Sequence, residues 1–406
     1  MKNILYILLL FPVVGLAQNP YLDQYIEQAL ENNYGVQAKS QSIQVVASEK
    51  EMIKGKGTSN LDLMYGYGAS PIETRNGPLN HKISAGIMLP WFGSRATQYE
   101  VVDQKIIKAE KDKIQTENSI KYSVRSLYFQ MIQNQKDLTS SRDNILILKT
   151  FESIALTQYE NAKGSLVDVL RVQMQIEDAD NNINKLIEDS TLLHRQFELV
   201  LNASVSDVNI TDKINFDTSS DSNIKNNPLL QGMEASQNVI RAEVNSVSKS
   251  AAPQIKLGLE YGILGDTQMS AENPGRNTVM PMLGLSIPVF NAKKYSGQKE
   301  QLTLSHQAID LEKQELENVL QAELLKAMNQ REDAHKDIEL IHSQMLKIEQ
   351  AIKVQREVYT VGNSQGGAFI ELLRLQMQRL DFLFKEHKAE SSLNDALAKI
   401  NFIQGV

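Results

Sequence analysis

Two long stretches of this 406-residue chain contain neither glycine nor proline, and they constrain its fold more than any other feature. They run from Ser94 to Lys163, 70 residues, and from Gln298 to Val361, 64 residues. Glycine and proline are the residues that most disfavour a helix interior, whereas helices of globular proteins average about 11 to 12 residues. The two stretches therefore predict helices of unusual length, each about 100 Å at a rise of about 1.5 Å per residue.

Apolar residues recur every seven positions in both stretches. In the first, the repeating set is Val124, Met131, Leu138 and Ile145, with Leu127, Leu148, Ala155 and Ala162 at the companion position. In the second, it is Leu324, Ile338, Met345, Ile352 and Tyr359, with Leu320, Ala327, Ala334, Ile341 and Ile348. This spacing is typical of coiled coils. Polar interruptions such as Asn134 and Ser141 predict close, partly polar packing.

A glycine and a second helical stretch follow each long helix. The predicted helix pairs are about 94–163 with 165–201 and about 298–361 with 368–404, and the glycines are Gly164 and Gly362. A helix reversal favours a residue that tolerates positive φ. The sequence therefore predicts two antiparallel helical hairpins.

The two hairpins belong to a duplicated unit. The segments that match, in the same order, are Leu61–Gly68 with Ile255–Gly262, Pro90-Trp91-Phe92 with Pro288-Val289-Phe290, Tyr159 with Tyr359, and Leu170–Gln175 with Leu373–Gln378. We predict a first repeat at 18–201, a connector rich in Asn, Asp and Ser at 202–227, and a second repeat at 228–406. Neither repeat is expected to function alone.

Each repeat also contains two segments in which apolar residues alternate with small or charged ones. The predicted strands are about 61–68, 81–90, 254–263 and 279–288. Such alternation fits strands that face lipid on one side, and it equally fits hairpins on a soluble domain. Four strands cannot close a membrane barrel, which takes about eight, and an open sheet in lipid leaves backbone groups unpaired. Membrane strands would therefore require several chains, and three copies would supply twelve strands.

The first 17 residues predict a secretory signal peptide. Lys2 precedes the apolar run Ile4–Val14, and small residues, Gly15 and Ala17, precede the expected cleavage site. A buried N-terminal helix is the alternative interpretation. No cysteine follows Ala17, so no lipoprotein anchor is expected, and no later segment has the 18 consecutive apolar residues of a transmembrane helix.

Composition argues against several classes of function. The chain has no cysteine, so disulfide frameworks and thiolate chemistry are excluded. Its 42 Lys and Arg against 49 Asp and Glu give a net charge of −7, which argues against a nucleic-acid partner. The six histidines are scattered without a ligand motif. We therefore predict no enzyme, no cofactor and no metal site.

Taken together, these features resemble the TolC-like outer-membrane efflux factor family, the exit ducts of tripartite export pumps. The most specific matches are the strand-ending Pro90-Trp91-Phe92-Gly93 and Pro288-Val289-Phe290-Asn291, and the segment Tyr159-x₄-Gly164-x₃-Asp168 with its second copy. The resemblance implies a mainly α fold with a small β part: coiled-coil hairpins and four membrane strands per chain. A homotrimer would form a twelve-stranded barrel in the outer membrane and a helical tunnel in the periplasm.

The resemblance also implies partners and a gate. The partners are a periplasmic adaptor, an inner-membrane transporter of the RND type and outer-membrane lipid. The hairpin ends would form a gated periplasmic entrance, for which the candidate residues are Tyr159, Gly164, Asp168, Arg171, Tyr359, Gly362, Glu371 and Arg374. Asp168 and Glu371 are the candidate gate carboxylates, with Arg171 and Arg374 as candidate partners; simple solvated helix residues are the alternative. The two tyrosines either constrict the entrance or pack the hairpin.

Two further questions stay open at this point. The Pro-Trp-Phe-Gly form resembles members encoded with heavy-metal exporters, so the cargo is either metal ions or organic drugs. The alternative function is a periplasmic coiled-coil adaptor. That alternative requires a single hairpin with flanking lipoyl-like and β-barrel segments, whereas this chain has duplicated strand pairs.

Overall fold

A computed structural model describes residues 20–56, 61–74, 77–206, 208–210, 223–265, 277–287, 292–361 and 367–406. The predicted signal peptide at 1–17 and much of the predicted connector at 202–227 lie outside these residues, as do Pro288, Phe290 and Gly362. The fold is mainly helical with a small antiparallel sheet, which confirms the predicted class at this level. No helix of the described ranges is both long and apolar enough to span a membrane.

The elements follow the order α1 (Pro20–Asn32), α2 (Tyr34–Lys56), β1 (Leu61–Thr74), β2 (Gly77–Leu89), α3 (Ser94–Glu160), α4 (Leu166–Leu201), α5 (Pro228–Ser250), β3 (Gln254–Leu264), β4 (Thr278–Ser286), α6 (Ala292–Val361) and α7 (Gly367–Gln404). The two long helices contain 67 and 70 residues. Gly297 lies inside α6, where a Cβ atom on its backbone would meet nothing within 4 Å. The sequence predicts that the helix starts after Gly297, but the helix includes this glycine, which is tolerated because it lies on an open surface.

The resemblance also implies an initial helix at about 21–54, and this segment is instead two helices that meet at Asn33. The Asn33 side chain accepts a hydrogen bond from the Gly35 backbone N–H at 2.8 Å. An Asn side chain that bonds to the backbone two residues later competes with helical geometry. This local bond explains the interruption between α1 and α2.

Contacts divide the chain into two compact units, which are described separately. The hairpin unit comprises Met1–Gln37, Thr116–Asn227 and Asn318–Val406, and the strand unit comprises Ala38–Gln115 and Pro228–Glu317. Each unit draws on both predicted repeats. The boundaries of the compact units therefore differ from those of the sequence repeats. The division into repeats at 18–201 and 228–406 stays a prediction.

The strand unit contains one four-stranded antiparallel sheet in the order β1-β2-β3-β4. The predicted hairpins are joined because β2 pairs with β3 from His81↔Ile263 to Leu89↔Ile255. A register shift between Tyr67 and Ile72 in β1 marks a bulge. The pairing leaves β1 and β4 at the two edges.

The register aligns the alternating side chains of all four strands. The apolar face carries the rows Leu61–Ile87–Leu257–Leu283, Leu63–Ala85–Leu259–Pro281 and Tyr65–Ile83–Tyr261–Val279. The opposite face carries the rows Asp62–Gly86–Gly258–Met282, Met64–Ser84–Glu260–Met280 and Gly66–Lys82–Gly262–Thr278. Since side chains alternate between faces with a period of two, one face of the sheet is apolar and the other is small or polar.

Two apolar clusters stabilise the hairpin unit. The base cluster joins α1, α2, α3, α4 and α7 through Leu22, Tyr25, Ile26, Ala29, Val36, Ile120, Val124, Tyr128, Phe129, Met131, Ile132, Phe197, Leu201 and Ala398. The turn cluster joins α3, α4, α6 and α7 through Leu148, Phe151, Ala155, Val169, Val172, Ile341, Ile348, Ile352, Phe369, Leu372, Leu373, Leu375, Phe382 and Ala389. The turn cluster lies next to the hairpin ends, where the candidate residues are.

Candidate functional site

The first hairpin end, between α3 and α4, is fixed by backbone bonds. Lys163 and Gly164 both donate their N–H groups to the Gln158 carbonyl, at 2.8 and 3.1 Å. Ser165 then caps α4, because its side chain accepts a hydrogen bond from the Val167 N–H at 3.1 Å. These contacts place Asp168 in the first turn of α4, where the helix dipole favours a carboxylate.

Gly164 has a different role from the one that its position predicts. The left-handed residue of this turn is Ala162, with φ of 54°, and Gly164 is not among the residues with positive φ. A Cβ atom on Gly164 would lie 2.9 Å from the Gln158 Cβ and 3.3 Å from the Tyr159 nitrogen. The expected conformational reason is therefore wrong, and the glycine is required because the chain passes close to the end of α3.

Asp168 is buried beside Arg171. The Asp168 side chain lies 3.6 Å from the Arg171 guanidinium, and the residue is 8% exposed. The Arg171 Nη1 atom is buried and has no hydrogen-bond acceptor within the part of the chain that the structure describes. The pair is thus held by charge attraction rather than by a hydrogen bond.

The two candidate tyrosines have different surroundings. Tyr359 is partly buried against the Phe369 ring, at 6.1 Å between centroids, and its hydroxyl is hydrogen-bonded to the Gln158 side chain. Burial raises the pKa of Tyr359, and the nearby Asp168 carboxylate raises it further. Tyr159 is 45% exposed. Tyr359 therefore packs the hairpin, whereas Tyr159 is accessible on the surface.

Glu371 and Arg374 form a two-bond ion pair on α7. The guanidinium donates from Nη2 to Glu371 Oε1 at 2.6 Å and from Nε to Oε2 at 2.9 Å. The hydrogen bond from Arg374 lowers the pKa of the Glu371 carboxyl. The proposed partners of Asp168 and Glu371 thus lie three residues along the same helix, within one chain.

The junction between β2 and α3 is a tight turn. The Ser94 N–H donates to the Trp91 carbonyl at 3.1 Å, and Gly93 has φ of 81°. This third position of a turn favours glycine when φ is positive. Trp91 and Phe92 meet edge to face at 5.9 Å between centroids, and Pro90 precedes them. The corresponding Pro288 and Phe290 lie outside the described residues.

Two contributors to the hairpin ends were not identified from sequence. Gln158 supplies the carbonyl that closes the first turn and the amide that reaches Tyr359. Phe369 packs against both Phe151 and Tyr359. Phe369 is the second residue of the predicted helix 368–404 and could have been found as an aromatic next to a turn, but nothing in the sequence marks Gln158. No group of three or more metal-ligating side chains occurs in the described ranges.

Residues 220–373 match the family model described as outer membrane efflux protein, and no curated protein sequence matches the chain. Among solved structures, OprN, an outer-membrane channel, is 16% identical with a TM-score of 0.74, over 95% of this chain and 90% of that one. VceC of Vibrio cholerae is 12% identical with a TM-score of 0.72, over 95% and 97%. The MtrE outer-membrane channel of Neisseria gonorrhoeae is 14% identical with a TM-score of 0.73, over 95% and 89%.

The structural similarities extend over nearly the whole chain, whereas the family match is confined to residues 220–373. The family and the structural neighbours are channels rather than enzymes. The predicted resemblance is therefore confirmed: residues 220–373 carry the outer membrane efflux protein domain, and the chain has the fold of the TolC-like outer-membrane channels.

Proposed function

We propose that this protein is the outer-membrane channel of a tripartite efflux pump, through which substrate passes passively to the exterior. The observation that carries the proposal is the four-stranded sheet, whose apolar residues form continuous rows on one face. In the middle row, Leu63 is 68% exposed and Leu259 is 52% exposed. A large exposed apolar surface marks a contact with lipid or with another protein.

The edges of the sheet support a homotrimer. In β1, every residue except Gly68 is exposed, and β1 and β4 have no further strand beside them in the described sheet. Edge groups in lipid must be paired, since each unsatisfied one costs several kcal/mol. Three copies joined edge to edge supply twelve strands and close a barrel with an aqueous lumen.

The helical hairpins form the periplasmic tunnel, and their ends form its entrance. On α4, Leu166, Val167, Leu170 and Met174 are all exposed at the first hairpin end. Such a face fits contact with a neighbouring copy or with a periplasmic adaptor. The adaptor in turn links the channel to an inner-membrane transporter of the RND type.

Charged side chains are paired both on the sheet and at the hairpin ends. On the polar face of the strands, Asp62 and Glu260 are balanced by Lys82 and Lys256, and Lys82 pairs with Glu260 at 2.6 Å. At the hairpin ends, the gate carboxylates Asp168 and Glu371 are paired with Arg171 and Arg374. Rings of acidic side chains favour cations at a narrow entrance, so these carboxylates select cations once an opening movement separates them from the arginines.

The adaptor alternative is disfavoured by the architecture and by the family match. The chain has two helical hairpins and four paired strands, whereas an adaptor requires one hairpin. The resemblance of Pro90–Gly93 to heavy-metal exporters stays a prediction about the cargo.

The first test combines cell fractionation with electrical recording. We expect the protein in the outer-membrane fraction, with a heat-modifiable gel mobility, and discrete ion currents when the purified protein is added to a planar lipid bilayer. A soluble periplasmic monomer that passes no current would overturn the proposal.

A matched pair of variants tests the orientation of the sheet. Leu63 and Met64 are neighbours in β1 with similar exposure, 68% and 59%, but they lie on opposite faces. Arginine on a lipid-facing strand costs about 2–4 kcal/mol near the bilayer centre. Leu63→Arg should therefore reduce assembled trimer in the membrane fraction, whereas Met64→Arg should assemble normally. Equal assembly of the two variants would contradict the lipid-facing assignment.

A further inference from the structure

Along α3, a polar segment separates the residues of the base cluster from those of the turn cluster. On α3, the base cluster ends at Ile132 and the turn cluster begins at Leu148. Four polar residues are buried between these positions, each between 2% and 9% exposed: Asn134, Asp137, Ser141 and Asn144. From Gln133 to Ile147, Ile145 is the one apolar residue in the buried class. We call these four residues, with Asn182 of α4 and His387 of α7, the polar girdle.

The spacing of the girdle places it on the packing surface of α3. Its four α3 residues are three, four and three positions apart, which is the spacing of consecutive buried positions in a coiled coil. One polar residue at such a position fixes helix register at the expense of stability. Over these two heptads Leu138 is only partly buried and Ile145 is buried, so the four polar residues make up most of the buried surface of α3 here.

The contacts of the girdle are few and involve single hydrogen bonds. Asn134 donates to the Leu186 carbonyl at 3.0 Å, and Asn182 donates to Ser141 Oγ at 3.4 Å. His387 Nδ1 lies 2.7 Å from Asp137 Oδ1. The Asn144 amide nitrogen is buried and has no acceptor within the described ranges. A buried donor without an acceptor opposes the arrangement that buries it.

A cavity with both polar and apolar lining residues lies beside the girdle, between α3 and α7. This cavity of about 240 Å³ is lined by residues that include Gln133, Lys136, His387 and Glu390. Lys136 and Glu390 form an ion pair across it at 2.7 Å. Hydrogen bonds in such a site can exchange partners when helices shift, whereas a close-packed apolar core resists small displacements.

We propose that the polar girdle is a hinge, at which the turn-cluster half of the α3–α4 hairpin moves against the base-cluster half. Segments with few buried apolar contacts open at lower free energy than packed cores, and small sliding of packed helices is a common route of conformational change. The hinge rests on the proposed function, because it supplies the movement that a gated entrance requires. The base cluster stays fixed while the hairpin end moves.

Hydrogen exchange on the purified full-length protein tests the hinge directly. We expect backbone amides of 134–144 to exchange at least tenfold faster than those of 120–131 and 148–155 on the same helix. The double variant Asn134→Leu with Asn144→Leu should slow this exchange and reduce the frequency of channel openings. Its control is Gln135→Leu with Asp143→Leu, at exposed positions of the same helix turns, which should change neither.

Each result separates the two proposals. Equal exchange in the three segments of the wild-type protein would overturn the hinge, even if the channel conducts and even if the leucine variants fail to fold. Faster exchange of 134–144 without any wild-type current would instead overturn the proposed channel. Equal effects of the girdle variant and its surface control would also overturn the hinge.

Discussion

Leu170 on α4 and Leu373 on α7 begin the same Leu-Arg-x-Gln-Met-Gln motif, yet Leu170 is 49% exposed and Leu373 is 4% exposed. The difference follows from the position of each helix in the hairpin unit. α7 contributes six of the residues of the turn cluster, and α4 contributes only Val169 and Val172. α7 is therefore the central helix at the hairpin ends, and α4 keeps an apolar face free for another chain.

The exposure of the candidate carboxylates shows the reverse contrast: the one on α4 is buried and the one on α7 is at the surface. Asp168, on the more exposed helix, is itself buried beside Arg171, whereas Glu371, on the central helix, forms its pair with Arg374 at the surface. Exposed ion pairs contribute little because water and salt screen them. Removing one member of a buried pair leaves an uncompensated charge. Equivalent positions in the repeats should therefore make unequal contributions to a closed entrance.

The largest expected effect is on channel opening when Asp168 loses its charge. In Asp168→Asn, the buried Nη1 atom of Arg171 loses its carboxylate, which should destabilise the closed turn. Because the Arg171 side chain is 40% exposed, water screens part of the lost attraction, and the conducting fraction should rise severalfold. Single-channel recording in planar bilayers measures this directly.

Glu371→Gln is the matched control for that variant. It removes the other gate carboxylate from an exposed ion pair, so its conducting fraction should rise much less than that of Asp168→Asn. If the two variants open the channel equally, burial does not distinguish the two ends, and if neither does, Asp168 has no role in the gate.

Two substitutions in the first hairpin turn, at Gly164 and Ala162, should change the free energy of unfolding in opposite directions. Their effect on the channel should be smaller than that of Asp168→Asn. Gly164→Ala places a Cβ 2.9 Å from the Gln158 Cβ and should lower the free energy of unfolding by about 1–3 kcal/mol, as overpacking does. Ala162→Gly removes a Cβ from a residue with φ of 54°. Relief of left-handed strain, about 1–2 kcal/mol, exceeds the entropy that glycine loses, so this variant should be slightly stabilised.

Thermal unfolding of the purified variants checks these signs. If Gly164→Ala is neutral and Ala162→Gly is destabilised, the close approach of the chain to the end of α3 does not explain Gly164. The glycine would then be needed for its backbone conformation.

Sequence periodicity predicted the long helices and the strands, but it did not predict the boundaries and breaks that depend on contacts of single residues. Uninterrupted stretches without glycine or proline predicted α3 and α6, and alternation predicted all four strands, because these patterns reflect local geometry. The break at Asn33 was missed because it depends on one side-chain bond. The start of α6 at Ala292 was missed because Gly297 lies on an open surface where a helix tolerates it.

For the hairpin ends, the residues could be named but not ranked. The repeat makes Asp168 and Glu371, or Tyr159 and Tyr359, look alike, since a repeat encodes the fold of each unit and not its neighbours. Which copy is buried depends on packing between distant segments, such as Phe151 against Phe369. The polar interruptions at Asn134 and Ser141 were visible, but their burial with Asp137 and Asn144 was not.

The smallest expected effect is a pH dependence confined to the second hairpin end. The pKa of Glu371 is lowered by its hydrogen bond from Arg374, so the folded protein binds that proton less tightly than the unfolded chain does. The stability contributed by Glu371 is thus complete above the ordinary carboxyl pKa of about 4.3 and is lost as the pH falls through the lowered value. The pKa of Tyr359 is raised, first by burial and then by Asp168, so its contribution is complete below the ordinary value of about 10 and is lost as the pH rises through the raised one.

Local hydrogen exchange of 368–378, corrected for the intrinsic pH dependence of exchange, should therefore show protection that declines at both extremes of pH. Glu371→Gln should remove the acid decline alone, and Tyr359→Phe should remove the alkaline decline alone. Tyr159→Phe, at the exposed tyrosine, provides the control and should leave both limbs unchanged. If Tyr159→Phe flattens the alkaline limb as much as Tyr359→Phe does, the exposed end of α3 and the packed end of α6 share one environment, and the contrast between the two hairpin ends fails.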